Sequence, residues 1–305
     1  MKHTPTLLVI AGPTAIGKTA LSIQLAKHFN TSILSADSRQ FFKEMSIGTA
    51  KPTQEEMQGI THYFIDSHSI SEDFNVGKYE TDAIQLLEKL FKEKDLVLLV
   101  GGSGLYVDAI CNGLDELPEA NENIRKQLEE TYQTQGITAL QEQLKELDPD
   151  YYAQVDLNNP QRLLRALEVC LSTGKPYSKQ RTGVKKERNF KCIKIGLNTD
   201  REELYERINQ RVDIMMQQGL LEEVKKLIHF KNKNALQTVG YKELFDHLEG
   251  EISLNEAIEL IKQHTRNFAK RQLTWFRRDE QIRWFEPKQL DDIISYVETK
   301  IKELQ

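Results

Sequence analysis

The sequence predicts an α/β fold in which a parallel sheet, covered on both faces, is interrupted by a helical insertion. Three observations carry this. Short, wholly apolar runs alternate with helix-periodic segments early in the chain; strands then vanish over a long middle stretch; and they resume near residue 191. Strands that are apolar on both faces belong in a buried parallel sheet.

The first strand is "TLLVIA" (6–11), and "KTALSIQLAKHF" after it places Leu21, Leu25, Ala26 and Phe29 at helical spacing. "TSILSADS" (31–38) reads as the second strand. A loop-rich stretch leads to an amphipathic helix, "YETDAIQLLEKLFKEK" (79–94), and a third strand, "DLVLLVGG" (95–102). From Leu114 to about Lys186 only helices are expected. "ENIRKQLEETYQTQG" stops at Gly136, a natural C-terminal cap. "DPDYYAQVDLNNP" is a turn-rich connector, and Pro160 suits the first position of the helix over "QRLLRALEVCLSTG", which Gly174 and Pro176 end. "KCIKIGL" (191–197) restores the strand pattern. "TDRE" (199–202) reads as a capping box opening a helix over 200–218, and the remainder is mainly helical with a strand-like "QIRWFEP". The expected division is a core in two parts, 1–115 and 188–305, around an insertion over 116–187.

A chain of 305 residues, 39% hydrophobic and 29% charged, has an ordinary globular composition. No apolar run could cross a bilayer and the first residues lack a signal-peptide layout, so a cytoplasmic protein is expected. Cys111, Cys170 and Cys192 are widely spaced without a C-x-x-C pair, and read as reduced thiols, not disulfides or a zinc site. The net charge of −5 conceals two basic stretches. One holds Lys175, Lys179, Arg181, Lys185, Lys186, Arg188, Lys191 and Lys194 against the acid Glu187. The other, "HTRNFAKRQLTWFRR" (264–278), is interleaved with Phe268, Trp275 and Phe276. Such patches suit RNA, though either stretch alone also fits a solvated helix face with its aromatics in the core.

Gly12, Gly17, Lys18 and Thr19 complete G-x-x-x-x-G-K-[ST] between a strand and a helix. This is a P-loop, and it makes the core P-loop NTPase-like. The loop Gly12, Pro13, Thr14, Ala15, Ile16, Gly17, Lys18 and Thr19 would surround a diphosphate, with backbone N–H groups from all of these but Pro13; Lys18 would add charge, and Thr19 would offer a hydroxyl to Mg²⁺. The second strand ends in "SADSRQ", where Asp37 is a metal ligand, a general base or a helix cap. The third strand ends in "GGSGLY" without the acid that ATP-hydrolysing relatives of the P-loop place there. Those glycines allow close approach of a chain or ligand around Ser103, or simply a tight turn into a helix. Arg162 and Arg165 share one helix face, with Leu163, Leu164 and Leu167 toward the core. Along 200–218, Leu204, Ile208 and Val212 form the buried stripe and Arg207 and Arg211 another; an arginine facing the P-loop would stabilise a leaving diphosphate.

Taken together, "GPTAIGKT", "SADSRQ", "MSIGTAKP", "GGSGLY", "NPQRLLRALEV", "QTVGYKEL" and "AKRQLTWFR" resemble the bacterial tRNA dimethylallyltransferases, the tRNA isopentenyltransferase family, in order from about residue 6 to 278. The resemblance implies transfer of a dimethylallyl group from dimethylallyl diphosphate to N6 of an adenine beside the anticodon, on its 3′ side, in tRNAs reading codons that begin with U. It implies that the P-loop holds an isoprenoid diphosphate, with no need of ATP. It assigns catalysis to Asp37, Thr19 with Mg²⁺, and Arg211, and tRNA contact to Asp37, Ser38, Arg39, Gln40, Ser103, Arg125, Gln161, Arg162, Leu163, Leu164 and Arg165. Ser103 stands where many relatives have threonine, keeping the hydroxyl, and Gln237 receives no role. A monomer binding the anticodon stem-loop is expected. The rivals are an adenylate isopentenyltransferase, a small-molecule P-loop kinase and a non-enzymatic RNA binder.

Overall fold

A computed structural model describes residues 4–118 and 121–304. They divide into two compact units, one formed by 1–112 with 187–305 and the other by 113–186. The first unit begins with β1 (Thr6–Ala11), α1 (Lys18–His28), β2 (Ile33–Ser35), the single turn α2 (Gln54–Met57), β3 (His62–Tyr63), α3 (Val76–Leu90), β4 (Leu96–Gly101) and α4 (Gly104–Asn112). The second unit is helical: α5 (Glu122–Gln135), α6 (Ile137–Leu147), the short α7 (Pro149–Tyr152), α8 (Pro160–Thr173) and the short α9 (Tyr177–Gln180). The chain then returns to the first unit with β5 (Lys191–Leu197), α10 (Arg201–Gln217), α11 (Leu220–Lys226), α12 (Tyr241–Leu248), α13 (Leu254–Phe276), β6 (Arg283–Phe285) and α14 (Leu290–Leu304).

The sheet order is β3-β2-β4-β1-β5-β6, and every pairing is parallel. β1 lies between β4, with Thr6 opposite Leu96, and β5, with Thr6 opposite Lys191. Its side chains alternate between faces, as a two-residue period requires. Leu8 and Ile10 pack with Leu21 and Leu25 of α1, Leu204 and Ile208 of α10, and Ile293 and Val297 of α14. Leu7, Val9 and Ala11 pack on the other face with Tyr79, Ala83 and Leu87 of α3 and Val107 and Ile110 of α4. A further cluster joins Phe41, Phe42 and Met45 to α10–α13 through Val212, Val224, Tyr241, Leu244 and Ile261. The second unit has its own core, built on Leu128, Leu140, Leu144, Tyr151, Leu163, Leu164 and Leu167.

Several boundaries differ from the sequence expectation. β2 is three residues long instead of the stretch 31–38, because after Ser35 the chain turns into the loop that carries Asp37. α3 starts at Val76, since the Asn75 side chain accepts from the N–H groups of Gly77 and Lys78. The cap of α10 is Asp200, accepting from Glu202 N–H at 2.8 Å, while Thr199 donates its hydroxyl to Glu203; the box expected at 199–202 gives way to a single Asp200 cap one residue later. Strand β3, two residues long, and the turn α2 fall in the stretch expected to be loop-rich. Pro160 and Gly136 sit where expected, at the first turn of α8 behind the Asn159 cap and at the end of α5.

The basic stretch 175–194 does not form one solvated edge. Arg188 is held inside the first unit, donating to the carbonyls of Ala109 and Ile110 and to Glu80 at 2.7 Å. Lys194 is buried and donates to Asp279 at 2.6 Å. Buried charges persist when they are paired in this way, so these two serve the fold. Among the described residues no helix is long and apolar enough to cross a membrane.

The tightest backbone approach sits at the end of β4. A Cβ placed on Gly101 would lie 2.1 Å from the carbonyl oxygen of Ala36, which follows β2. Gly101→Ala should lower stability by about 1–3 kcal/mol, the usual range for overpacking. An unchanged urea midpoint would show that the strands separate without cost.

Candidate active site

Because all the strands run the same way, the loops leaving β1, β2 and β4 emerge at one edge of the sheet. The first is the P-loop. Gly12 and Gly17 have φ of +153° and +102°, and Ala15 is held at +63°, a left-handed conformation that a residue with a side chain adopts only under strain. α1 begins at Lys18, so unsatisfied helix N–H groups face the loop's hollow. Lys18 donates its ammonium to the carbonyls of Gly12 at 3.0 Å and Pro13 at 2.7 Å. Burial draws this ammonium down to about 7, with Asp37 opposing the shift and Arg211 reinforcing it.

The second loop presents Asp37. Its Oδ1 accepts from the N–H groups of Arg39 at 2.8 Å and Gln40 at 3.2 Å. No helix follows, so Asp37 stiffens a turn and is not a helix cap. Oδ2 takes no hydrogen bond among the described residues and remains available. Arg39 donates to the carbonyls of Ser38 and Asn234, and its Nε is buried without a partner among the described residues. Burial lowers the pKa of this guanidinium, while Tyr106 and Asp37 act to raise it. Gln40 donates to the carbonyls of Thr49 and Ala50, tying the "MSIGTAKP" segment to the same turn.

The third loop is the glycine turn after β4, and it does feed a helix, α4. Ser103 accepts from Ser38 N–H at 3.0 Å and so joins the second loop to the third. Helix α13 explains the glycines. A Cβ on Gly102 would lie 2.3 Å from Gln272 Nε2, and one on Gly104 would lie 2.2 Å from the Trp275 ring, whose Nε1 donates to Asp108 at 2.8 Å. From α10, Arg211 comes close enough to interact electrostatically with both Lys18 and Asp37, and reaches the Ala50 carbonyl at 3.5 Å. Burial lowers its guanidinium pKa, with Asp37 and Glu56 opposing. Arg207 pairs with Glu203 at 2.6 Å and extends to the Ile16 carbonyl at 3.4 Å. The first unit therefore brings together 12–19, 37–40, Ser103 and Arg211.

The remaining expected residues lie in the second unit. Arg125 donates to Glu129 and to Gln161 at 2.7 Å each. Arg165 donates to Glu168 and to the Pro118 carbonyl, while Arg162 is exposed. Leu163 and Leu164 are 0% and 1% exposed. Their side chains fill the core of this unit and offer no surface to an RNA, which corrects their placement among the contacts: they hold α8 in position while Arg162 is exposed and Arg165 is half-buried.

Glu223, which the sequence did not single out, organises the segment 46–50. Its carboxylate accepts from the N–H groups of Ser46, Ile47 and Gly48 at 2.8–3.0 Å and from the Tyr241 hydroxyl at 2.6 Å. Tyr241 leaves no room for a side chain at Gly48. The glycine of "SIG" and the tyrosine of "VGY" were the visible signals; their pairing was not. Gln237, exposed, donates to the Lys231 carbonyl and has no place in the site.

Fold and site define a P-loop protein whose cradle meets the Asp37 carboxylate from the neighbouring loop and Arg211 from α10. A family model described as IPP transferase matches residues 40–279. A tRNA dimethylallyltransferase of Flavobacterium johnsoniae is 54% identical over 303 residues, covering 97% of this chain and 98% of its own length. The full-length tRNA isopentenylpyrophosphate transferase of Bacillus halodurans superposes with a TM-score of 0.73 at 39% identity, covering 98% of this chain and 97% of that one. A eukaryotic dimethylallyltransferase captured acting on tRNA gives a TM-score of 0.78 at 27% identity, over 94% of this chain and 75% of that one. The chain belongs to the IPP transferase family.

Glu223→Ala should cost about 2–4 kcal/mol, because three backbone donors lose a charged acceptor, and Tyr241→Phe about 1 kcal/mol. Chemical denaturation measures both. Equal effects from the two substitutions would place the stabilisation in the tyrosine and not in the backbone bonds.

Proposed function

We propose that this protein transfers a dimethylallyl group from dimethylallyl diphosphate to N6 of the adenine on the 3′ side of the anticodon, in tRNAs reading codons that begin with U, and releases diphosphate. The observation that carries the reading is the close coupling of the P-loop with Asp37 and Arg211 in a member of the IPP transferase family. The loop 12–19 binds the donor diphosphate, for which Lys18 exchanges its two carbonyl partners. As the allylic C1–O bond breaks, negative charge grows on the departing diphosphate, and Lys18, Arg211 and the N-terminus of α1 stabilise it there. The adenine amino nitrogen forms the new bond to C1. Its lone pair is delocalised into the ring, so the free Oδ2 of Asp37 orients the amino group and takes its proton.

A magnesium ion fits the donor set. Thr19 offers one hydroxyl, and among the described residues no cluster of three or more His, Cys, Asp or Glu side chains forms a protein cage. Mg²⁺ is commonly bound by few protein ligands plus substrate phosphates and water. When bound beside Thr19 it would neutralise diphosphate charge.

On the acceptor side, Ser38, Arg39, Gln40 and Ser103 contact the splayed adenine and its neighbours, and the buried Arg39 Nε takes its missing acceptor from the RNA. Arg125, Gln161, Arg162 and Arg165 of the second unit, with the exposed Lys175 and Lys185, bind the anticodon stem-loop backbone. The protein acts as a cytoplasmic monomer.

Purified protein with labelled dimethylallyl diphosphate should label tRNA and not AMP, and should release no phosphate from ATP. Labelling of AMP instead would make it an adenylate isopentenyltransferase; robust ATP turnover would make it a kinase or ATPase.

Asp37→Asn retains an acceptor for the Arg39 and Gln40 N–H groups, so the fold and tRNA affinity should change little. The transfer rate should fall by about two to four powers of ten, the range for a lost acid–base group. Single-turnover transfer and a melting curve check both halves. A stable variant with near-normal transfer would end the assignment of Asp37 as the base.

A further inference from the structure

Gln272 lies on α13, far along the chain from the P-loop, and is 7% exposed. Both ends of its amide are engaged. Oε1 accepts from Thr14 N–H at 2.9 Å, and Nε2 donates to the Gly102 carbonyl at 2.9 Å. It thereby spans the first and third loops of the site. The link continues: Ser103, next to Gly102, accepts from Ser38 N–H, and Ser38 adjoins Asp37. One amide thus connects the donor cradle, through a short chain of bonds, to the carboxylate on the acceptor side.

Two features show that this connection bears on geometry and not only on cohesion. Thr14 immediately precedes Ala15, whose φ of +63° is strained for a residue with a side chain, and such conformations persist only where the surroundings over-determine them. The bond from Thr14 N–H holds the Pro13–Thr14 peptide, one residue ahead of the strained position, and so limits how the loop can approach Ala15. In addition, the approach at Gly102 is close on two sides: a Cβ there would lie 2.3 Å from Gln272 Nε2 and 3.3 Å from the Gly12 carbonyl oxygen, to which Lys18 also donates. The separation of the two loops has no slack.

We infer that Gln272 is a positioning residue that keeps the P-loop in its strained, diphosphate-receiving form and sets its distance from the acceptor turn. The inference rests on the transfer reading above. Gln272 touches neither reacting atom; it acts through Thr14 and Gly102. A prenyl donor and an adenine must meet within a narrow range of distance, so a small shift between the loops costs rate even when each substrate still binds.

The test uses the full chain with three variants, measuring inorganic diphosphate binding with Mg²⁺ by calorimetry, single-turnover transfer to tRNA, and melting. Gln272→Leu removes both bonds; it should weaken diphosphate binding and slow transfer by about 100-fold, the usual consequence of a misplacement near 1 Å, with tRNA affinity unchanged. Gln272→Glu keeps an acceptor for Thr14 N–H but sets a carboxylate against the Gly102 carbonyl and beside the anion cradle, so diphosphate binding should weaken, and more so as the pH rises, while transfer slows. Adding Ala15→Gly to Gln272→Leu should restore diphosphate binding, because glycine adopts the left-handed conformation without strain. A merely structural role moves none of these selectively. The inference is overturned if Gln272→Leu binds diphosphate and transfers as the unaltered chain does, if its losses only follow the folded fraction seen in melting, or if Ala15→Gly restores nothing. An unaltered chain that binds diphosphate but transfers no prenyl group would sink the functional reading instead, and the calorimetric comparison would still judge the clamp.

Discussion

Every strand of the sheet points the same way, and the site exists because of it. In a parallel sheet the carboxyl ends of all strands lie along one edge, so loops far apart in sequence are delivered side by side. Residues 12–17, 36–40 and 101–103 become neighbours without any contact between their sequences having to specify it. The cross-links then add precision: Ser103 to Ser38, Gln272 to Thr14 and Gly102, Gln40 to the carbonyls of 49 and 50. Burial of β1 on both faces by α1, α10 and α14 on one side and α3 and α4 on the other keeps the edge fixed.

The charge in the site contrasts with that of the whole molecule. The chain carries a net −5, yet Lys18, Arg39 and Arg211 converge around the carboxylate of Asp37, with Glu56 acting on Arg211 as well. Burial works against all three cations, most visibly at Lys18. An enclosed surplus of cations is unfavourable until an anion arrives, and a diphosphate supplies several negative charges at once. The free protein meets part of the demand internally, since Lys18 donates to the loop's own carbonyls and Asp37 faces the cations.

What could be read from the sequence was what is contiguous. The P-loop, the long strands, the helix over 160–173 and the glycine turn are local patterns whose physics lies within a few residues, and they appear close to where they were read. Features set by distant partners were not legible. Arg188 and Lys194 looked like members of a basic edge because nothing nearby reveals that Glu80 and Asp279 meet them inside the first unit. Glu223 and Gln272 are ordinary residues of helices until the backbone groups they serve are known. β3, at two residues, is shorter than any alternation that could announce it. The charge pattern of α8 was read correctly on its buried side, where Leu163 and Leu164 lie, and that same burial removes them from the RNA-facing set.

The close approach of α13 to the glycine turn also bears on how this sequence can drift. Gly102 and Gly104 have no room for a side chain while Gln272 and Trp275 keep their present shapes. A larger residue in the turn becomes tolerable only after the helix residue facing it shrinks, and the smaller helix residue alone would leave a void or unmet backbone groups. Each pair must therefore change through an unfavourable intermediate or not at all. Positions from opposite ends of the chain are bound into single units of inheritance, and substitutions in one are expected to track the other across related sequences.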